Sequence, residues 1–299
     1  MLNNLRNYTD ASRVEENVMM SGHTTFRVGG PAKVMVTVNS VSELKNVVTY
    51  LRKCALPYFI LGNGSNLLVS DKGYDGVVLR LSGDFLKVDT FGAVIMAGAG
   101  ASLGSVCKAA LDNSLTGMEF AYGIPGTVGG AIVMNAGAYD GDMSMVVDGV
   151  EAVTTEGEAI FVAPHSLAFG YRTSAVRKAE LIVTKVTFKL AKGDKDAIDA
   201  KMQELMGRRK DKQPLEYPSA GSTFKRPKDN FAGKLIEEAG LKGQRVGGAC
   251  VSTKHCGFII NDDNATAQDI SDLMDLVRQK VYDTSNVKLE PEVIKIGKF

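Results

Sequence analysis

Residues 123–139 read GIPGTVGGAIVMNAGAY, and the fold turns on what this stretch is for. Five of its positions are glycine (123, 126, 129, 130 and 137), with Pro125 and Thr127 among them and the apolar AIVMN following. A surface turn does not need so many residues without a Cβ. A diphosphate or a planar ring lying against the main chain does, because only glycine lets the backbone come that close.

A second glycine turn lies upstream, in LGNGSNLLVSDKGYDG at 61–76, where it follows an apolar run. Gly62 and Gly64 let N–H groups around Asn63 point into one concavity, and Ser65 and Asn66 add side-chain donors. No Gly-Lys-Ser/Thr follows, so this is not a Walker loop. An ordinary hairpin turn explains it equally well alone. Together the two donor-rich turns predict an extended, phosphate-bearing cofactor held without a Rossmann motif.

A third stretch, GAGASLG at 98–104, fits two short patterns, a loose dinucleotide fingerprint and a Gly-x-Ser-x-Gly elbow. A hydrolase needs a triad, and among the three histidines (His23, His165, His255) only His255 suits the chain order. The stretch reads better as a tight turn from strand to helix.

Around these turns the N-terminal part alternates strands and helices. KVMVTV (33–38), YFILG (58–62), GVVLRL (76–81) and AVIMAG (93–98) are β-rich. Residues 40–54 place Leu44, Val47, Val48 and Leu51 on one helical face, and 102–113 do the same with Leu103, Val106, Ala110 and Leu111. A hairpin is expected over 149–164 and a long strand over 180–190. The polar AKGDKD (191–196) marks a boundary near 192. Beyond it, helices are predicted over 197–213, 230–243 and 265–286, and strands over 257–261 and 288–297. The whole is an α+β chain.

Composition narrows the function. Of 299 residues, 44% are hydrophobic and 23% charged, and Lys+Arg 35 against Asp+Glu 34 leaves a net charge of +1. That balance gives no support to nucleic-acid or polybasic membrane binding. No apolar run approaches the ~20 residues of a membrane span. The polar N-terminal stretch lacks an apolar signal core, so a cytoplasmic protein is expected. The four cysteines (54, 107, 250, 256) lie among apolar residues and read as reduced, mostly buried thiols. Cys250, His255 and Cys256 lack a fourth ligand and zinc spacing, so no metal is expected. No protein partner can be inferred.

Several polar residues could do chemistry. Arg172, beside Tyr171 in FGYRTSAV, can hold a carboxylate or stabilise developing negative charge. Glu290 and Glu292 in KLEPEVIKIG would share one face of a strand, with Pro291 at its edge. Lys212 and Lys242 supply positive charge. Taken alone, a solvated surface role is the simpler reading of each of these. Ser222-Thr223-Phe224-Lys225 has the Ser-x-x-Lys spacing of acylating serine enzymes, but their Ser-Asp-Asn and Lys-Thr-Gly partners are missing. A phosphate-binding or proton-donating serine remains.

GNGSNLLV, IPGTVGGAIVMNAGAY, YRTS, QPLEYPSAGSTFKRP, AGKLIEEAGLKG and LEPEVIKIG occur in this order. Each is short, but six in order are specific, and across roughly residues 20–297 the chain resembles the UDP-N-acetylenolpyruvoylglucosamine reductase family. The resemblance implies a two-part FAD-binding module of the vanillyl-alcohol-oxidase type (1–75 and 76–191), followed by a smaller α+β substrate-binding domain (192–299). It implies that Gly62, Asn63, Gly64, Ser65, Asn66, Gly123, Pro125, Gly126, Thr127, Gly129 and Gly130 hold FAD. NADPH is the implied co-substrate, in peptidoglycan precursor synthesis.

By the same resemblance Arg172 and Glu292 polarise the enolpyruvyl carboxylate, Glu292 as a protonated donor, and Ser222 gives the proton to C2. Tyr171, Lys212, Lys225, Arg226 and Lys242 match substrate positions, although Arg226 stands where some relatives have asparagine. The short run from Arg172 to the strand at 180 resembles the short-loop branch. Three other classes compete: another FAD/NADPH oxidoreductase acting on a different nucleotide sugar, a non-catalytic flavin or nucleotide-sugar binder, and, weakest, a serine acyltransferase.

Overall fold

A computed structural model describes residues 5–139 and 141–299. The chain folds as two compact units, and neither is continuous in sequence. The first contains the segment ending at Glu16, then Val34–Gly62 and Gly76–Arg208; the second contains Asn17–Lys33, Asn63–Asp75 and Arg209–Phe299.

Two sheets frame the first unit. One has the order Val14–Met19, Pro31–Val38, Tyr74–Leu81, Tyr58–Leu61, its last two strands parallel. The other is antiparallel, in the order Ala159–Val162, Val147–Val153, Ile182–Lys189, Val94–Gly98, Val88–Phe91. One apolar core runs under both and includes Val36, Leu79, Ile95, Val150 and Val186. Helix Val41–Lys53 contributes Leu44, Val47, Val48 and Leu51 to it, the face expected from the sequence. Ser40 caps that helix by accepting from the Glu43 amide at 3.3 Å.

The second unit has the antiparallel sheet Arg245–Val246, Ala249–Val251, Ile259–Asn261 and helices Ala232–Glu238 and Ala267–Ser285. Its core joins Phe26 and Leu68 to Phe224, Leu235, Val251, Ile270, Leu273 and Val277. Leu67–Val69 pairs in parallel with Ile294–Ile296. Both Asp71 carboxylate oxygens accept main-chain amides, from Ala267 and Gln268 at 2.9 Å, at the start of the long helix. So 17–33 and 63–75 belong structurally with the C-terminal third. Among the described residues, no helix is long and apolar enough to cross a membrane.

Three local expectations change. The strand expected over 288–297 reduces to Ile294–Ile296, because Pro291 has no N–H to extend a ladder and pairs only as an isolated bridge with Phe224. The glycine stretch contains a helix, Val128–Met134, where only a turn was expected. Each glycine there costs about 1 kcal/mol of helix propensity. Thr127 caps the helix and Val128, Ala131 and Ile132 are buried, which offsets it. Strands Val14–Met19 and Val88–Phe91 were not foreseen; each is short or largely exposed, with little apolar alternation to announce it. Three of the four cysteines are buried, in line with the expectation of mostly buried thiols, and Cys54 is exposed.

Candidate active site

In the first unit Gly62 packs against the glycine stretch at 123–139. A Cβ on Gly62 would stand 2.6 Å from Thr127 Oγ1, so glycine there is what allows Thr127 to come so close. The GAGASLG stretch packs alongside: Leu103 N donates to the Gly126 carbonyl at 3.0 Å, and Val128 N and Gly129 N donate to Ala101 and Ala99 carbonyls at 2.8 Å. Ser102 is a helix cap, accepting from the Ser105 amide at 3.0 Å, which removes the nucleophile-elbow reading.

Gly126 has a different environment. A Cβ on it would meet nothing nearer than 3.8 Å. Nothing in the protein therefore requires glycine there, whereas a planar or phosphate group pressed against the main chain would. The cradle fits the FAD implied by the motif order. Gly64 is glycine for an internal reason, since it sits at φ +62 and a Cβ would lie 2.1 Å from the His23 carbonyl.

Arg172 lies on the four-residue loop 170–173, closed by reciprocal Gly170 and Thr173 backbone bonds at 3.0 and 3.3 Å. Its guanidinium stacks 5.2 Å over the exposed Tyr171 ring, and it takes up φ +55. Only the one-turn helix Ala175–Lys178 separates it from the strand Ile182–Lys189.

In the second unit the Ser-x-x-Lys stretch runs antiparallel to Glu290–Glu292. Lys225 N donates to the Glu290 carbonyl at 2.8 Å, Phe224 bridges Pro291, and Glu292 N donates to the Thr223 carbonyl at 2.9 Å. The Lys225 amine also forms an ion pair with the Glu290 carboxylate. Thr223 is wholly buried; its amide donates to the Gly257 carbonyl at 2.9 Å and its Oγ1 accepts from Ile259 N at 3.0 Å. His255 Nδ1 accepts from Gly257 N at 3.0 Å, and burial pushes the imidazole pKa down, favouring the neutral acceptor. Ser222 itself is exposed, and Gly221 before it takes up φ +74.

Asn66 joins this group. Its side-chain amide donates to the Glu292 carbonyl at 3.1 Å, and its own carbonyl accepts from Ile294 N at 3.0 Å. Thr223, Lys225, Glu292 and Asn66 thus share one hydrogen-bonded neighbourhood, and Ser222 adjoins it as the residue before Thr223. The remaining candidates have their own neighbours. Lys242 donates to Glu237 at 3.1 Å, which raises the amine pKa, and Arg226 lies 4.1 Å over the Phe231 ring. Lys212 is exposed at the end of helix Lys195–Lys212. Burial raises the pKa of the Cys250 and Cys256 thiols, and that of Cys107 to about 12, so none is set up as a thiolate nucleophile.

Thr223, Asn135 and Ser174 were not singled out from the sequence. Asn135 carried one readable signal, an asparagine followed by small residues at the end of an apolar run, which marks a left-handed helix cap.

Comparison with known proteins agrees with this layout. The family profile described as "FAD binding domain" matches residues 32–163, and "UDP-N-acetylenolpyruvoylglucosamine reductase, C-terminal domain" matches 213–296. A UDP-N-acetylenolpyruvoylglucosamine reductase of Clostridium botulinum (strain Alaska E43 / Type E3) is 49% identical over 286 residues, covering 96% of this chain and 94% of that protein. The chain belongs to the UDP-N-acetylenolpyruvoylglucosamine reductase family.

The crystal structure of the Thermus caldophilus reductase of this family superposes with a TM-score of 0.83 at 40% identity, covering 95% of this chain and 99% of that one. A more distant structure, Physcomitrella patens BBE-like 1, shares the fold alone, with a TM-score of 0.50 at 16% identity over 64% of this chain and 44% of that one. The fold class is therefore α+β, an FAD-binding module of the vanillyl-alcohol-oxidase type followed by the reductase family's smaller C-terminal domain. FAD is the cofactor that the matched domain assigns.

Proposed function

We propose that this chain reduces UDP-N-acetylglucosamine enolpyruvate to UDP-N-acetylmuramate with NADPH, in the cytoplasm, as a step of peptidoglycan precursor synthesis. The observation that supports this is the main-chain pairing of the Ser222–Lys225 segment with Glu290–Glu292, which holds the two segments in fixed register inside a chain of the reductase family.

Bound FAD would supply the hydride chemistry between NADPH and C3 of the enolpyruvyl group. Gly62, Asn63, Gly64, Ser65 and Asn66 with Gly123, Pro125, Gly126, Thr127, Gly129 and Gly130 would hold it. In sequence order the cofactor residues fall in 1–75 and 76–191 and most substrate residues in 192–299, although 17–33 and 63–75 pack in the second unit. The rest is work for side chains. Electrons reaching C3 spread toward C2 and the substrate carboxylate. Arg172 holds that carboxylate by its fork, and Glu292, protonated, donates a hydrogen bond to it. Ser222 passes its proton to C2, which is basic enough as a carbanion to take it, and Lys225 steadies the alkoxide left behind. Tyr171, Lys212, Arg226 and Lys242 contact the UDP-sugar, the lysines as point charges for its diphosphate.

The test is a two-stage flavin assay. NADPH should bleach the yellow protein anaerobically. Colour should return only with UDP-N-acetylglucosamine enolpyruvate, giving UDP-N-acetylmuramate in equal amount. A bleached protein that stays colourless with this substrate overturns the proposal.

A further inference from the structure

Asn135 ends helix Val128–Met134 in the left-handed conformation at φ 42, and only 4% of it is exposed. A buried amide must find partners, and its partners lie on separate loops. Nδ2 donates to the Gly170 carbonyl at 3.1 Å and to Asp142 Oδ2 at 3.2 Å, while Oδ1 accepts from Ser144 N at 3.1 Å. Gly170 begins the closed loop that carries Arg172. Two more bonds hold the same loop. Ser174, wholly buried, donates through Oγ to the Val133 carbonyl at 3.1 Å, and Arg177 Nη1 donates to the Arg172 carbonyl at 3.2 Å. Arg172 itself is in the left-handed region, which L side chains avoid and which persists only where the surroundings over-determine it.

We propose that Asn135 is a positioning residue for Arg172: it fastens the Arg172 loop to the helix whose first turn carries Thr127, Gly129 and Gly130. This rests on the catalytic role proposed for Arg172. One short helix then orders both ends of its unit's functional surface, glycines at its start and the arginine loop at its end. A lost amide would remove one of the loop's anchors and loosen the placement of the guanidinium, and misplacement of about 1 Å costs on the order of 100-fold in rate.

Asn135→Gly is the informative variant, because glycine keeps the left-handed cap and removes only the amide. The holoenzyme should keep its FAD and its reduction by NADPH, while kcat with the enolpyruvyl substrate falls about 10- to 100-fold and KM changes less. In an Arg172→Ala background the same change should cost nothing further. An equal loss in both backgrounds, or no loss in the wild type, overturns the proposal. Should Asn135→Gly not fold, Arg177→Ala, an exposed change, decides in the same cycle. It should lower kcat a few-fold only while Arg172 is present, and additivity there overturns it. Unchanged turnover in Arg172→Ala alone sinks the catalytic role of Arg172, and this inference with it; the outcomes are distinguished by which single variant is silent.

Discussion

The carbonyl of Thr223 accepts the amide hydrogen of Glu292 at 2.9 Å, which ties the residue after Ser222 to the carboxylate proposed to polarise the substrate. Because this bond is main chain to main chain, Ser222→Ala should leave the pairing intact. Flavin reduction by NADPH should proceed at the wild-type rate. Reoxidation by the enolpyruvyl substrate should slow by about 10²- to 10⁴-fold, the range for a lost general acid. Stopped-flow absorbance separates the two half-reactions, and an equal loss in both would mean that Ser222 is structural.

Gly126 and Gly62 should respond differently to alanine. At Gly126 the protein has room for a Cβ, so Gly126→Ala should unfold like the wild type yet lose FAD more readily on dilution. At Gly62 the Cβ meets Thr127 Oγ1 at 2.6 Å, so Gly62→Ala should lower stability and FAD retention together. Urea unfolding of the apoprotein and flavin fluorescence on dilution are the measurements. Full FAD retention in Gly126→Ala would remove that residue from the cradle.

The Lys225–Glu290 ion pair keeps the amine of Lys225 engaged. Glu290→Gln frees it for an anionic ligand at the cost of a partly exposed pair worth up to about 1 kcal/mol. The expected result is an up to ~5-fold lower KM for the UDP-sugar at low salt, fading as ionic strength rises. A KM unchanged by Glu290→Gln, and equally unchanged by Lys225→Met, would remove Lys225 from the substrate contacts.

Asp269 and Thr266 form a reciprocal capping box on helix Ala267–Ser285, with Thr266 N to Asp269 Oδ2 at 2.9 Å and Asp269 N to Thr266 Oγ1 at 3.0 Å. The Thr266 amide holds the Asp269 carboxyl below its ordinary pKa. A lowered pKa places the stabilisation above the unfolded value, near ~3.9, and removes it as pH falls through the folded one. Asp269→Asn should therefore cost about 1 kcal/mol at pH 7 and at pH 5, and progressively less below ~4. Urea titrations at three pH values check this; a deficit that persists undiminished at pH 3 would contradict it.

Local pattern was enough for the glycine turns at 62–66 and 98–104, the buried face of helix Val41–Lys53, the existence of helix Ala267–Ser285, and the order of motifs that marks the reductase family. These features repeat within a few residues, so the side chains announce them. Folding in three dimensions assigned residues 17–33 and 63–75 to the second unit, turned the Asn66 amide onto the Glu292 carbonyl, engaged Lys225 with Glu290, and joined Asn135 to Gly170. Each of those links is long-range in sequence, and several run through main-chain atoms that every residue carries. A backbone carbonyl has no sequence signature, so which one an amide will find is settled only when the chain has packed.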